Sequence, residues 1–247
     1  MVTVMGKREK DDGSDLDPLA IHYRFELESG KVREFDVRLD EFSLALMQKE
    51  RSSYPDWTRL DYNQCPDCAL DPRDHPRCPA ACAVSHIIEE FRDTSSVEVA
   101  EIKITTATRT FEKRAPASVG VSALIGLHMA TSGCPILAKL RPMTRTHLPF
   151  ATTEETMYRV LSMYMLAQYF QMAHGKEPDW DMSGLRELLE DVRQVNKAFC
   201  NRIKEPGSQD ANLNAVVLLD CFAGITELAL KKENLTLIER TFRAYLS

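Results

Sequence analysis

Residues 21–40 read IHYRFELESGKVREFDVRLD, and their pattern decides the fold class. Apolar and polar side chains alternate on both sides of Glu28-Ser29-Gly30-Lys31, the signature of two half-buried strands joined by a hairpin turn. Successive strand side chains point to opposite faces, so Tyr23, Phe25 and Leu27 share one face. A second alternating pair follows, VEVAEIKITTA at 97–107 and RTFEKRA at 109–115. Together the pairs predict a small antiparallel sheet of about four strands, one face buried and one wet. Between them DEFSLALMQKE (40–50) reads as a short helix, broken by Ser52-Ser53-Tyr54-Pro55. Trp57 leads into a cysteine-rich segment that closes in a helix, AVSHIIEEF (83–91).

Beyond Pro116 the rhythm turns helical. SVGVSALIGLHMATSG (118–133) reads as a buried helix ended by Gly133, then a short helical piece from Pro135 and the loop THLPF. Thr152 and Glu155 have the spacing of a capping box and open a long helix to about His174, where Gly175 can terminate it. Helices are expected at about 183–204 and 211–232, with Pro206 and Gly207 between them. A last short helix carries Leu235, Ile238, Phe242 and Leu246. Residues 1–17 lack apolar periodicity and read as a solvated arm. The division is therefore 1–17, an α+β region 18–116 with a metal segment at 57–86, and a helical region 117–247. No solenoid repeat or low-complexity tract is present.

Composition narrows function by exclusion. The 247 residues carry 31 basic and 37 acidic side chains, net −6, a balance that speaks against binding nucleic acid. The first residues hold no apolar run of the roughly 7–15 residues a secretory signal needs. The most apolar stretch, 157–173, is interrupted by Arg159, Ser162, Gln168 and Gln171 and is shorter than the about 20 residues of a membrane span. A cytoplasmic protein is expected. In a reducing compartment clustered cysteines are metal ligands or redox centres more often than disulfides.

Of seven cysteines, Cys65, Cys68, Cys78 and Cys82 share one segment, spaced C-x2-C-x9-C-x3-C. A C-x2-C turn aims two thiolates at one centre, and residues four apart share one face of a helix. Pro79 suits a first helical turn, whose amides and dipole favour the thiolate of Cys78. The first expectation is a structural zinc ion held by these four thiolates, with His75 or His86 as substitute ligands. The rival is a [4Fe-4S] cluster, since Cys65, Cys78 and Cys134 each precede proline, a neighbour frequent beside cluster ligands. In that version Cys134 replaces Cys82. Free loop cysteines are the plainer alternative. Cys134 lies between two helical pieces, a setting that also suits a nucleophile and leaves enzymatic activity open. Cys200 and Cys221 fall on expected helices and read as inert core residues.

Lys139, Arg141, Arg145 and His147 form the densest basic patch. Arg141, Arg145 and His147 make a weak candidate anion site, with a solvated loop as the alternative. Nucleotide-binding glycine loops, the G-x-S-x-G elbow and H-E-x-x-H are absent. The helix 152–174 is apolar nearly all round and reads as central to a core, or else as a face for self-association. A homodimer through 152–174 and 211–232 is the expected partner arrangement, without nucleic acid or membrane.

Several stretches resemble a family of uncharacterised bacterial proteins: Trp57 to Tyr62 leading into Cys65-Pro66-Asp67-Cys68, Cys78-Pro79-Ala80, Ala130-Thr131-Ser132-Gly133-Cys134-Pro135, and His147-Leu148-Pro149-Phe150-Ala151. The resemblance covers about residues 20–225. It implies a cytosolic protein without assigned activity, and a motif to which Cys65, Cys68, Cys78 and Cys134 belong more surely than Cys82.

Overall fold

The computed structural model describes residues 18–49, 51–204, 210–229 and 232–246; the expected arm 1–17 and the breaker Pro206-Gly207 fall outside them. The hairpin forms as its alternation requires. Strands β1 (Leu19–Leu27) and β2 (Val32–Leu39) pair antiparallel, Tyr23 opposite Phe35. Gly30 turns the chain at φ 81°, a backbone that favours glycine, and its N–H donates to the carbonyl of Leu27 at 2.8 Å. Strands β3 (Val99–Thr106) and β4 (Thr110–Pro116) complete a four-stranded sheet in the order β2-β1-β3-β4, every neighbour antiparallel.

One face of the sheet is dry. Tyr23, Phe25, Leu27, Phe35, Val37, Ile102 and Ile104 are buried there, and each large side chain removed from water contributes about 1.5–3 kcal/mol. Arg33 occupies the same face. Its guanidinium lies 4.7 Å from the centre of the Phe91 ring and donates to Asp93 at 2.7 Å and to Thr94. The opposite face carries Arg24, Glu26, Glu34, Glu101 and Lys103, linked by surface ion pairs such as Arg24–Glu34 at 3.3 Å.

Helix α1 (Pro79–Glu90) and helix α2 (Ala117–Thr131) contribute to the same core, α2 starting at the residue after β4. α2 reaches the sheet because residue 120 is glycine: a Cβ there would stand 2.6 Å from Cε1 of Phe25 and 2.9 Å from Ile102. Eleven of its fifteen residues are buried, since the sheet and α1 cover it on one side and α5 (Ala211–Ala229) on the other. α3 (Thr153–Ala173) and α4 (Ser183–Ile203) also pack on α5. Helices α6 (Lys232–Glu239) and α7 (Arg243–Leu246) end the described chain. The last strand ends at Pro116 and α2 begins at Ala117, and residues from both sides share one core.

Two expectations are corrected. Of the helix expected at 40–50, the described residues 40–49 are not helical. The Asp40 carboxylate accepts the N–H and the hydroxyl of Ser43, at 2.7 and 2.6 Å, which holds a turn. Leu44 is left-handed at φ 55°, and Leu46 bridges to Leu39. Nor is α3 central: it buries Val160, Leu161 and Gln168, while Leu166, Tyr169, Phe170 and Met172 stay exposed. The centre belongs to α2. Between α2 and α3, residues 137–146 form a 3-10 helix that contains Pro142. Among the described residues no helix is long and apolar enough to cross a membrane.

Candidate functional site

The cysteine segment is a closed excursion pinned at its base. Leu60 donates its N–H to the carbonyl of Pro76 at 3.0 Å and Cys78 to that of Thr58 at 2.8 Å, around an antiparallel bridge between Arg59 and Arg77. Arg77 fastens the pair by donating to Thr58 Oγ1 at 2.6 Å and to the carbonyl of Pro55 at 3.2 Å. Within the excursion, Cys68 N–H closes a turn on the carbonyl of Cys65 at 3.2 Å, the amide of Gln64 holds the carbonyl of Leu70 at 3.0 Å, and Asp71 accepts the N–H of Arg73 at 2.9 Å. Cys78 is the N-cap of α1 with Pro79 next to it, as the sequence requires. Cys134 follows Gly133, whose φ of 93° ends α2. The backbone amides of Leu137 and Ile136 donate to its sulfur.

These three pieces meet. Cys65, Cys68, Cys78 and Cys134 line one small cavity of about 20 Å³, walled otherwise by Leu60, Pro79, Pro135, Val195, Phe199 and Arg202. Burial, and then the charges of Cys78, Cys68 and Cys134, push the Cys65 thiol up to about 12. Burial raises Cys134 as well, against the pull of its two amides. That direction is opposite to the one a nucleophile needs. Arg202 opposes the rise at Cys65. Its guanidinium is buried at 2% exposure and donates to the carbonyls of Trp57 at 2.9 Å, Arg59 at 2.5 Å and Leu60 at 3.0 Å. A fixed positive charge thus lies near the thiols, behind an apolar cavity surface.

The remaining sequence candidates lie elsewhere. Cys82 does not line this cavity; its sulfur bonds the side chain of Thr58. His75 is exposed. His86 accompanies Gln48, 3.1 Å away, and the rings of Phe35 and His128, with centroids 5.9 and 5.4 Å distant. Arg141 donates to the carbonyl of Ser43 at 3.4 Å, and His147 pairs with the Tyr23 hydroxyl at 2.5 Å. Among the described residues no group of three or more His, Cys, Asp or Glu side chains is arranged to hold a metal ion. The four thiols border a common space without closing on a point.

Arg202 went unnoticed in the sequence, although a signal existed. Leu185, Leu188, Val192, Val195 and Phe199 mark the buried stripe of α4, and Arg202 continues it at the same spacing. An arginine on an apolar stripe is a buried cation in need of partners.

The model of an uncharacterised family, a domain of unknown function (DUF6901), matches residues 21–243. The chain belongs to this family. Neither the comparison with curated proteins nor the one with solved structures finds a match. Membership agrees with the uncharacterised family expected from the sequence and assigns no activity.

Proposed function

We propose that this DUF6901 protein is a cytoplasmic iron–sulfur protein in which Cys65, Cys68, Cys78 and Cys134 hold a [4Fe-4S] cluster. The observation that carries the reading is the shared cavity: four cysteines from three separate segments border one space that Arg202 also lines, its guanidinium buried on nearby backbone carbonyls. Cluster ligation needs thiolates spaced around a volume larger than one ion, and cluster properties follow from amide hydrogen bonds to sulfur, burial and net charge. The donors to Cys134, the apolar walls and Arg202 supply these. The cavity of about 20 Å³ is smaller than a cluster, so loading requires the Cys65–Cys68 turn to move outward against the Gln64–Leu70 hydrogen bond. When bound, the group exchanges single electrons, and four protein ligands leave it no open position. The role that fits is electron carriage or redox sensing.

Anaerobic purification tests this. The expected product is brown, with iron and acid-labile sulfide, and the colour is lost in Cys65→Ser and Cys134→Ser but kept in Cys82→Ser. In Arg202→Met that retains the colour, the reduction potential falls, because a positive charge favours the more negative reduced state. A colourless protein with one zinc that needs Cys82 and not Cys134 overturns the proposal in favour of the zinc site.

A further inference from the structure

A second cavity, of about 370 Å³, lies between α2, the 3-10 helix and the first turns of α3, with α4 and α5 behind it. Its size falls in the range of about 300–1,000 Å³ usual for small-molecule sites. α4 contributes Val195 to the cysteine cavity and Val192 and Asn196 to this one, so the two spaces are neighbours with separate linings. Most of the wall is aliphatic, supplied by residues such as Leu127, Leu140, Val160, Leu189 and Leu219.

Its ionisable groups are all basic. Lys113, His147 and Arg159 line it, and no aspartate or glutamate does among the described residues, although the chain as a whole is acidic. Arg159 is partly buried, and burial lowers its pKa. Its Nη2 donates to the carbonyls of Met143 at 2.9 Å and Thr146 at 3.0 Å. A guanidinium has five N–H donors in a planar fork, so two carbonyls met by one nitrogen do not exhaust it. The carboxylate nearest in sequence, Glu155, is committed to the N-cap of α3, where it accepts the Thr152 N–H at 2.7 Å. Lys113 is exposed, with its ammonium 5.6 Å from the centre of the Phe150 ring, and Phe150 lines the cavity too.

Tyr23 and His147 fix a further donor. Burial holds the Tyr23 phenol in its protonated form and keeps His147 neutral, its pKa lowered to about 4. With the phenol donating to Nε2, 2.5 Å away, the ring proton resides on Nδ1. The lining thus presents cationic and donor groups over an apolar floor.

We propose that this cavity binds an amphiphile with an apolar body and one anionic head, a carboxylate or a phosphate monoester, with Arg159 taking the head and Lys113 at the rim. The proposal is independent of the cysteine site. Titration calorimetry on the delipidated full chain, below micelle-forming concentrations, tests it with dodecanoate, dodecyl phosphate, dodecanol and dodecyltrimethylammonium. Dodecanoate or dodecyl phosphate is expected to bind at least about tenfold more tightly than the alcohol and the ammonium, and which of the two is tighter identifies the head group. Arg159→Met removes about tenfold from the anion and leaves the alcohol unchanged. Ala123→Phe, which fills the space, weakens all of them; circular dichroism confirms that both variants fold. Equal affinity for anion, alcohol and ammonium, or no binding by the unaltered chain, overturns the proposal without any variant. Cys65→Ser with unchanged dodecanoate affinity separates this result from the fate of the cluster.

Discussion

A methyl group at residue 120 has nowhere to go. Phe25 and Ile102 are both buried to within 1% of full coverage and occupy the space that a Cβ would enter. Gly120→Ala should therefore destabilise the fold by about 1–3 kcal/mol, the usual cost of overpacking, even though alanine is the better helix former. Urea unfolding measures it, and trimming the obstacle with Phe25→Leu should restore part of the loss in the double variant. A gain in stability for the single substitution would show that the helix and sheet are not in contact there. This glycine illustrates what single residues conceal in a sequence. Phe25 was legible as a core residue from its alternation, but the need for glycine at 120 arises between elements that pack across the core. Arg159 is opaque for the same reason, and for Arg202 the helical stripe shows burial but not the carbonyls that tertiary structure brings to it. Spacing singles out Cys65, Cys68 and Cys78, which line the cavity, but equally Cys82, which does not, while Cys134 is marked by the proline that follows it.

Whole elements were read most securely where a local rule operates. Thr152 and Glu155 exchange their two hydrogen bonds as a capping box, at 3.2 and 2.7 Å, and α3 begins where that pair requires. The segment 40–49 carries apolar residues that suggest helical rhythm, while Asp40 and Ser43 offer the backbone a competing turn. α3 shows the opposite failure, its composition fitting a core position that α2 already fills. The run from Leu166 to Met172 contains no charged residue, and four of its large apolar side chains are exposed. A patch of that kind self-associates readily, since a two-fold contact of an uncharged strip meets no like-charge repulsion. We expect the full chain to sediment as a dimer, and Tyr169→Glu with Phe170→Glu to shift it to monomer without altering its circular dichroism. A monomer at every concentration tested would refute the assignment. The other expected contributor, α5, spends much of its apolar surface on α4 and α2.

For the molecule as a whole, two buried histidines contribute to the acid limb of stability. Burial lowers His128 and His147 to about 4, whereas in the unfolded chain they titrate near 6.5. Between those values the unfolded state binds protons that the native state refuses. Stability from this source is fully present above about pH 6.5 and is lost as pH falls toward 4, each histidine costing on the order of 2–3 kcal/mol. The urea midpoint should drop over that interval, and His147→Gln should flatten the slope. A midpoint unchanged between pH 7 and pH 5 would contradict the burial of both rings.

The wall that shuts the cysteine cavity comes from far along the chain. Arg202 reaches the carbonyl of Trp57 across 145 residues. At about 5–20 residues per second of synthesis, the Cys65–Cys68 turn emerges on the order of ten seconds before α4 exists to cover it. During that interval the thiols stand in solvent without their arginine. Loading, oxidation or proteolysis of this segment is therefore a contest with the ribosome, one that ends when the fourth long helix docks.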